Sequence, residues 1–193
     1  MIIVLCITSL PTAIIGAATY IMGKTQIEKA ENHVHQVLVT KALDRINDDL
    51  THLELTATQW AFDPRFDEQL RNINLKERYD VTYNLYRSLS VMKGSYPLID
   101  QVYLYLNHST PLVVSDSEGV SPILNEDQKK QYRQLLTGSK GAFWLDNFRR
   151  VNQKGEPAIA LVHKLPGIGE PYGALIIYLD KKQTGQNGEG TVG

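Results

Sequence analysis

An unbroken apolar run, a helical period and a strand period succeed one another along this chain, and each predicts a different element. The run comes first: residues 1–23 contain no Asp, Glu, Lys, Arg or His. At about 1.5 Å per residue a helix of that length reaches roughly 34 Å, enough for a bilayer core. Thr8, Ser9, Pro11, Thr12 and Thr19 dilute its hydrophobicity, but membrane helices tolerate Pro and Gly better than soluble ones do. The favoured expectation is a transmembrane helix over residues 1–23. A cleaved secretory signal ending near Gly16-Ala17-Ala18 is the alternative, and it lacks the basic start that such signals carry. A buried core helix is the third reading. Large Leu5 before Cys6 excludes a lipoprotein anchor.

From residue 25 to residue 61 there is no Gly or Pro, and apolar side chains fall at Ile27, Ala30, Val34, Leu38, Ala42, Ile46, Leu50, Leu53, Ala57 and Trp60. The mean step is about 3.7 residues, close to the α-helical period. One long amphipathic helix follows, roughly 50 Å from Ile27 to Trp60. Its last stretch, from Ile46 to Trp60, is spaced to form a coiled-coil seam. Asp63-Pro64 ends it, because a residue before Pro is pushed out of the helical region. Pro64 can open a further helical turn to Ile73, and residues 76–92 predict another helix with Tyr79, Tyr83, Tyr86 and Leu89 on one stripe, closed by Gly94 and Pro97.

The period then switches to two. Residues 98–106 predict a strand, Asn107-His108-Ser109 a turn, residues 111–115 its hairpin partner, and Asp116-Ser117-Glu118-Gly119 another turn. Asn125 can cap a helix over residues 126–136, with acids at its start and Gly138 past its end. Strands over 142–146, 157–165 and 172–180 follow, joined by Asn152-Gln153-Lys154-Gly155 and Pro166-Gly167-Ile168-Gly169. The predicted fold is therefore α+β: a transmembrane helix, a long helix, then a five-stranded antiparallel sheet covered by helices on one face. The expected division is 1–23 membrane helix, 24–62 long helix, 63–182 sensor-like domain and 183–193 a Gly-rich linker or the start of a further element. That Gly-rich tail and the missing basic start together give the expectation of a fragment.

Charge and composition mainly remove possibilities. A formal net charge of −1 with scattered basic residues gives no nucleic-acid footprint, and one cysteine allows neither a disulfide framework nor a cysteine metal site. A nucleophile elbow, a P-loop and an HExxH pair are absent, so no enzyme, cofactor or metal is expected. His33 and His35 lie about 200° apart on a helix and cannot share a metal on one face. Asp48, Asp49 and His52 do share a face, as ordinary surface pairs do. Gly167-Ile168-Gly169 with Gly173 sits between two strands, where no helix N-terminus is available to hold phosphate. Asn107-His108-Ser109 matches a glycosylation sequon, which its turn already explains.

A membrane segment, a long helix, a helix pair and a sheet ordered β-β-α-β-β-β resemble the Cache, PAS-like extracytoplasmic sensor domain. Ser9-Leu10-Pro11-Thr12 with Gly16 and Tyr20, the helix end Trp60-Ala61-Phe62-Asp63-Pro64-Arg65, and the closing strand Gly173-Ala174-Leu175-Ile176-Ile177-Tyr178-Leu179-Asp180 are similar to two Gram-positive families. These are membrane-anchored regulators with an AraC-type DNA-binding domain and YesM-like sensor histidine kinases. The resemblance, over about residues 9–182, implies a sensor placed outside the cell membrane. It also implies the membrane-distal half of a double Cache, with the output elsewhere. Departing from the amino-acid-binding Cache pattern, the chain has no Trp-Tyr pair after an Arg. A sugar or an organic anion is the expected ligand class.

A Cache pocket would need aromatic walls with an Arg or His. Tyr103 and Tyr105 project from one face of their strand, His163 shares a face with Ile159, Leu161 and Leu165, and Trp144 lies near Arg149 and Arg150. Tyr103, Tyr105, Trp144, Arg149 and His163 are the candidate ligand-binding residues. The alternative has the tyrosines as half-buried sheet residues and the arginines as solvated ones. Expected partners are a small molecule, the membrane and a second copy through the long helix, with no nucleic acid. The functional expectation is ligand sensing passed along that helix, an AraC-type output being favoured. A non-signalling binding protein, anchored or secreted, is the first rival, and a small hydrolase using His163 or His108 the second.

Overall fold

The structure is a computed structural model that describes residues 2–151, 158–166 and 169–180, without the side chains of residues 2–18, 25, 27, 28 and 30–32. Helix α1 runs without a break over Ile2–Ala61, so the apolar run and the long amphipathic stretch are one element. Among the described residues no helix is long and apolar enough to cross a membrane. Most of the side chains in the expected membrane segment, residues 1–23, lie outside the described set.

The chain divides into two compact units, Met1–Asn47 and Asp48–Gly193. The first is helical throughout its described length, and its apolar stripe is open: Val34 and Leu38 are 55% and 58% exposed. The second unit holds the rest of α1, then two 3-10 turns at Pro64–Phe66 and Glu68–Arg71, α2 (Tyr79–Ser95), β1 (Ile99–Leu106), β2 (Leu112–Ser115), β3 (Gly119–Pro122), α3 (Glu126–Gln134), β4 (Ala142–Phe148), β5 (Ala158–Leu165) and β6 (Gly173–Leu179).

The sheet has the order β3-β2-β1-β6-β5-β4, and every pairing is antiparallel. Its two central strands set the architecture. Val102 lies opposite Ile177, Leu104 opposite Leu175 and Leu106 opposite Gly173, and β6 is buried at every position. Because side chains alternate between faces, such a pair has no polar side to leave in water and needs a cover on both. On one face Val102, Leu104, Leu161, Leu165, Leu175 and Ile177 pack with Leu53, Ala57 and Ala61 of α1 and Leu85, Leu89 and Met92 of α2. On the other, Tyr103, Tyr105, Ala160, Val162, Ile176 and Tyr178 pack with Tyr132 and Leu135 at the end of α3.

Several expectations are corrected. The sheet is six-stranded, not five-stranded: β3 returns along β2, with Val113 opposite Ser121 and Val114 opposite Val120. Its four residues are too few to display a period, and Pro122 is tolerated because the strand lies at the edge. Helices cover both faces, not one. The expected turn of helix to Ile73 is two short 3-10 turns, each begun by an aspartate that accepts a backbone N–H: Asp63 from Arg65 at 2.9 Å and Asp67 from Gln69 at 2.9 Å. Helix α2 carries Gly94 inside its last turn instead of ending there, and it buries Thr82, Leu85, Leu89 and Met92 while Tyr79 and Tyr83 stack on each other in solvent. The predicted loop 152–155, part of 166–169 and the tail 183–193 lie outside the described residues.

Gly173 faces the Tyr105 carbonyl so closely that a Cβ would come within 2.4 Å of its oxygen. Gly173→Ala should therefore lower unfolding stability by about 1–3 kcal/mol through forced overpacking. Leu89→Ala, which empties a fully buried position, should cost about 2–5 kcal/mol. Urea melts of the two variants against the parent chain measure both.

Candidate functional site

The strand register separates the five sequence-predicted residues. Tyr103 and Tyr105 lie on the α3 face of the sheet, whereas His163 and Trp144 lie on the α1 face, next to Leu161. Arg149, just after β4, is exposed and lends only its carbonyl, which accepts from Tyr132 Oη at 3.3 Å. One strand of backbone thus divides the expected pocket into two half-sites.

The α3 face is a layer of aromatic rings with hydroxyls. Tyr103 meets Tyr178 edge-on at 5.2 Å, Tyr105 meets Tyr132 at 5.4 Å, and Phe148 lies 5.1 Å from Tyr132 and 6.2 Å from Tyr178. Such contacts add to the area burial of each ring. One pair of hydroxyls is satisfied mutually and the others by loop side chains: Tyr132 with Tyr178 at 3.1 Å, Tyr103 to Glu118 Oε1 at 3.2 Å, Tyr105 to Asn107 Oδ1 at 3.2 Å. Tyr103 and Tyr105, half-buried sheet residues on the alternative reading, are fully buried. Arg150 supplies the cation that Arg149 does not. Its guanidinium sits 5.0 Å from the Tyr178 ring centre and pairs with Asp100, while its buried Nε–H has no partner.

The cover on this layer is light. Of the residues in α3 only Tyr132 is buried, with Leu135 directly after it. Lys164 helps to hold the segment, its ammonium donating to the carbonyls of Thr137 and Gly138, each at 2.8 Å. Tyr132, Tyr178, Glu118 and Lys164 escaped the sequence reading. Tyr178 follows Ile176 in the alternation of β6 and was in principle legible there; Tyr132, alone in a polar helix, gave no periodic signal.

The other half-site is a cleft of about 590 Å³ lined by Thr51, Glu54, Lys140, Trp144, Leu161 and His163, among others. Trp144 Nε1 donates to the Glu54 carboxylate, which ties β4 to α1. His163 Nδ1–H donates to the Lys164 carbonyl at 3.2 Å, and its ring meets Phe62 edge-on. Among the described residues no group of His, Cys, Asp and Glu could hold a metal ion.

Burial dominates the ionisation of the tyrosine layer. It pushes Tyr105 up to about 12, raises Tyr103 and Tyr132 further, with the Glu118 carboxylate adding to the effect on Tyr103, and holds Tyr178 well above the usual phenol value. Tyr172 is raised by the same cause, in a second place where its hydroxyl lies 2.9 and 2.8 Å from the carbonyls of Phe66 and Asp67.

No protein-family profile and no curated protein matches the sequence. Solved structures do resemble the fold. The ligand-binding domain of the Campylobacter jejuni chemoreceptor Tlp3, in complex with L-norvaline, matches with a TM-score of 0.56 at 16% identity, over 82% of this chain and 60% of its own. A domain of a sensory box/GGDEF family protein from Vibrio parahaemolyticus matches with 0.53 at 12% identity, over 77% and 60%. The extracellular domain of the histidine kinase vpHK1S-Z8 matches with 0.52 at 9% identity, over 77% and 57%. The chain therefore has the fold of sensory ligand-binding domains and spans about 60% of the length of such neighbours.

A phenol whose folded pKa lies above its unfolded value of about 10 keeps its proton in the native state where the unfolded chain has lost it. Its contribution to stability is complete below pH 10 and is lost as pH rises toward the folded value. Unfolding free energy should thus fall steeply from pH 10 to about 12, and Tyr103, Tyr105, Tyr132, Tyr172 and Tyr178 should yield phenolate absorbance only as the chain unfolds. Parallel absorbance and circular-dichroism titrations check this; reversible ionisation of all ten tyrosines with the fold intact would contradict it.

Proposed function

We propose that this chain is the ligand-sensing part of a membrane-bound signalling protein, and that the small molecule is taken into the tyrosine layer beneath α3. The observation that carries the reading is a buried tyrosine layer, in which the Tyr132 and Tyr178 hydroxyls bond to each other and those of Tyr103 and Tyr105 to Glu118 and Asn107, beside the unpartnered Nε–H of Arg150. A sugar or an organic anion can exchange for such bonds with little loss, because a buried donor that finds an acceptor removes a desolvation penalty. The light cover supports entry from the α3 side. The fold likeness to sensory domains supports the class, and the absence of any motif for catalysis in the sequence agrees with it.

Within this reading the ligand state passes along α1. That helix packs Leu53, Ala57 and Ala61 against the sheet, and its earlier stripe at Val34 and Leu38 is open to a second copy of the chain. Ligand would act by binding two arrangements of the helix with different affinity. Residues 1–23 are proposed as the membrane span, with the sensor outside the cell, and an AraC-type DNA-binding domain is favoured over a kinase as the output.

A second reading places the ligand in the 590 Å³ cleft of Trp144 and His163, where it would touch α1 directly. A thermal-shift screen of sugars, oligosaccharides and organic acids separates the two. A ligand at a hundred times its Kd raises native stability by about 2.7 kcal/mol. The shift should vanish in Tyr103→Phe and Arg150→Gln and persist in Trp144→Phe and His163→Gln; the reverse pattern assigns the cleft. Transmission is checked by cysteines placed at Val34 or Leu38 in a Cys6→Ser background. Disulfide cross-linking that changes with ligand is expected, and its absence would argue against a dimeric helix.

A further inference from the structure

A further cavity lies away from both half-sites, at the end of the sheet where β1 turns into β2. It encloses about 470 Å³ and is walled by the segment from Arg71 to Lys76, by His108, Ser109 and Thr110, and by Leu112, Val120 and Pro122. This volume falls in the range of small-molecule pockets.

Its chemistry is one-sided. Arg71 and Lys76 contribute two permanent cations, Asn72, Asn74, Ser109 and Thr110 contribute neutral polar groups, and no carboxylate lines the wall. The two cations differ in pairing, and Arg71 Nη2 donates to the Glu170 carbonyl at 3.0 Å. Arg71 reaches Glu68 at 3.4 Å and Glu170 at 3.9 Å, both of them exposed carboxylates, and its buried Nε–H has no acceptor. Lys76 is exposed and makes no side-chain ion pair among the described residues. The floor is apolar, formed by Ile73, Leu75, Leu112, Val120 and Pro122.

The wall is also built to keep its shape. His108 Nε2 donates to the Leu70 carbonyl at 2.7 Å, fixing the β1–β2 turn to the 3-10 segment. Asn74 Oδ1 accepts from the Lys76 N–H at 3.2 Å, and Thr82 Oγ1 donates to the Leu75 carbonyl at 2.7 Å. An apolar floor beside the unpaired Lys76 ammonium and the acceptor-free Nε–H of Arg71 suits a ligand with the opposite layout: one carboxylate on a compact apolar body. Arg recognises carboxylates through paired N–H donors, and a buried apolar body adds affinity in proportion to its area.

We infer that the cavity between the Arg71–Lys76 segment and the β1–β2 turn is a second ligand site, which takes small carboxylates carrying an apolar ring or branched chain. It stands independently of the tyrosine layer, since it shares no residue with it and opens elsewhere on the sheet.

Benzoate is the probe, with benzamide as its uncharged isostere and acetate and inorganic phosphate as anions without an apolar body. Calorimetric titration of the full 193-residue chain should give saturable one-site binding of benzoate, with the other three at least about tenfold weaker. Arg71→Gln and Lys76→Gln should each weaken benzoate about tenfold, and Arg87→Gln, which removes an exposed cation of α2 outside every site described, should leave it unchanged. Lys76 is exposed and unpaired, so its variant keeps the fold even if Arg71→Gln does not. The inference is overturned by an absence of saturable benzoate binding, by binding indifferent to Lys76→Gln, by benzamide or phosphate binding as tightly, or by loss of binding in Arg87→Gln.

Discussion

The pairing of β1 with β6 is the constraint from which the rest of the structure follows. Each strand contributes apolar or aromatic side chains to both faces, so neither face can be left to water. On one side the end of α1 and α2 supply leucines and alanines in a smooth aliphatic interface. On the other the cover is a short helix and the segments around it, and the sheet meets them with tyrosines. The asymmetry has a physical origin: a long helix can bury a continuous stripe, whereas nine residues of α3 cannot, and large rings fill the difference.

Much of this was written in the sequence as period. The 3.7-residue spacing from Ile27 to Trp60 marked a helix, and the alternation around Val102 to Leu106 marked a strand with tyrosines on one side. Where the reading failed, the period was either too short or overruled. Four residues of β3 cannot show an alternation, and in α2 the tyrosines at helical spacing lost the core to Thr82, Leu85 and Met92, because the sheet offered a surface shaped for aliphatic groups. Strand boundaries shifted by a residue or two, as boundaries do when end residues pair or fray.

The candidate site was legible only in part. Tyr103 and Tyr105 were found because one strand sufficed to place them. Trp144 and His163 were assigned to the same pocket because nothing in a linear chain says which face of a neighbouring strand a given residue joins; register decides it, and register is a property of pairs. Arg149 and Arg150 are adjacent, and a one-residue step turned the selected arginine outward and its neighbour toward Tyr178. Tyr132 and Glu118 lie outside the strands that carry the layer and meet it only through the closed fold.

The two tryptophans, Trp60 and Trp144, both lie against the core on the α1 side of the sheet, while the α3 side is built of tyrosine and phenylalanine without an indole. The indoles, unlike the phenols, are thereby confined to one face of the sheet. Emission excited at the red edge, where only indoles absorb, reports on the α1 side of the sheet, where Trp144 Nε1 donates to the Glu54 carboxylate of α1. Without any added label, the packing of α1 on the sheet can thus be followed apart from the tyrosine layer.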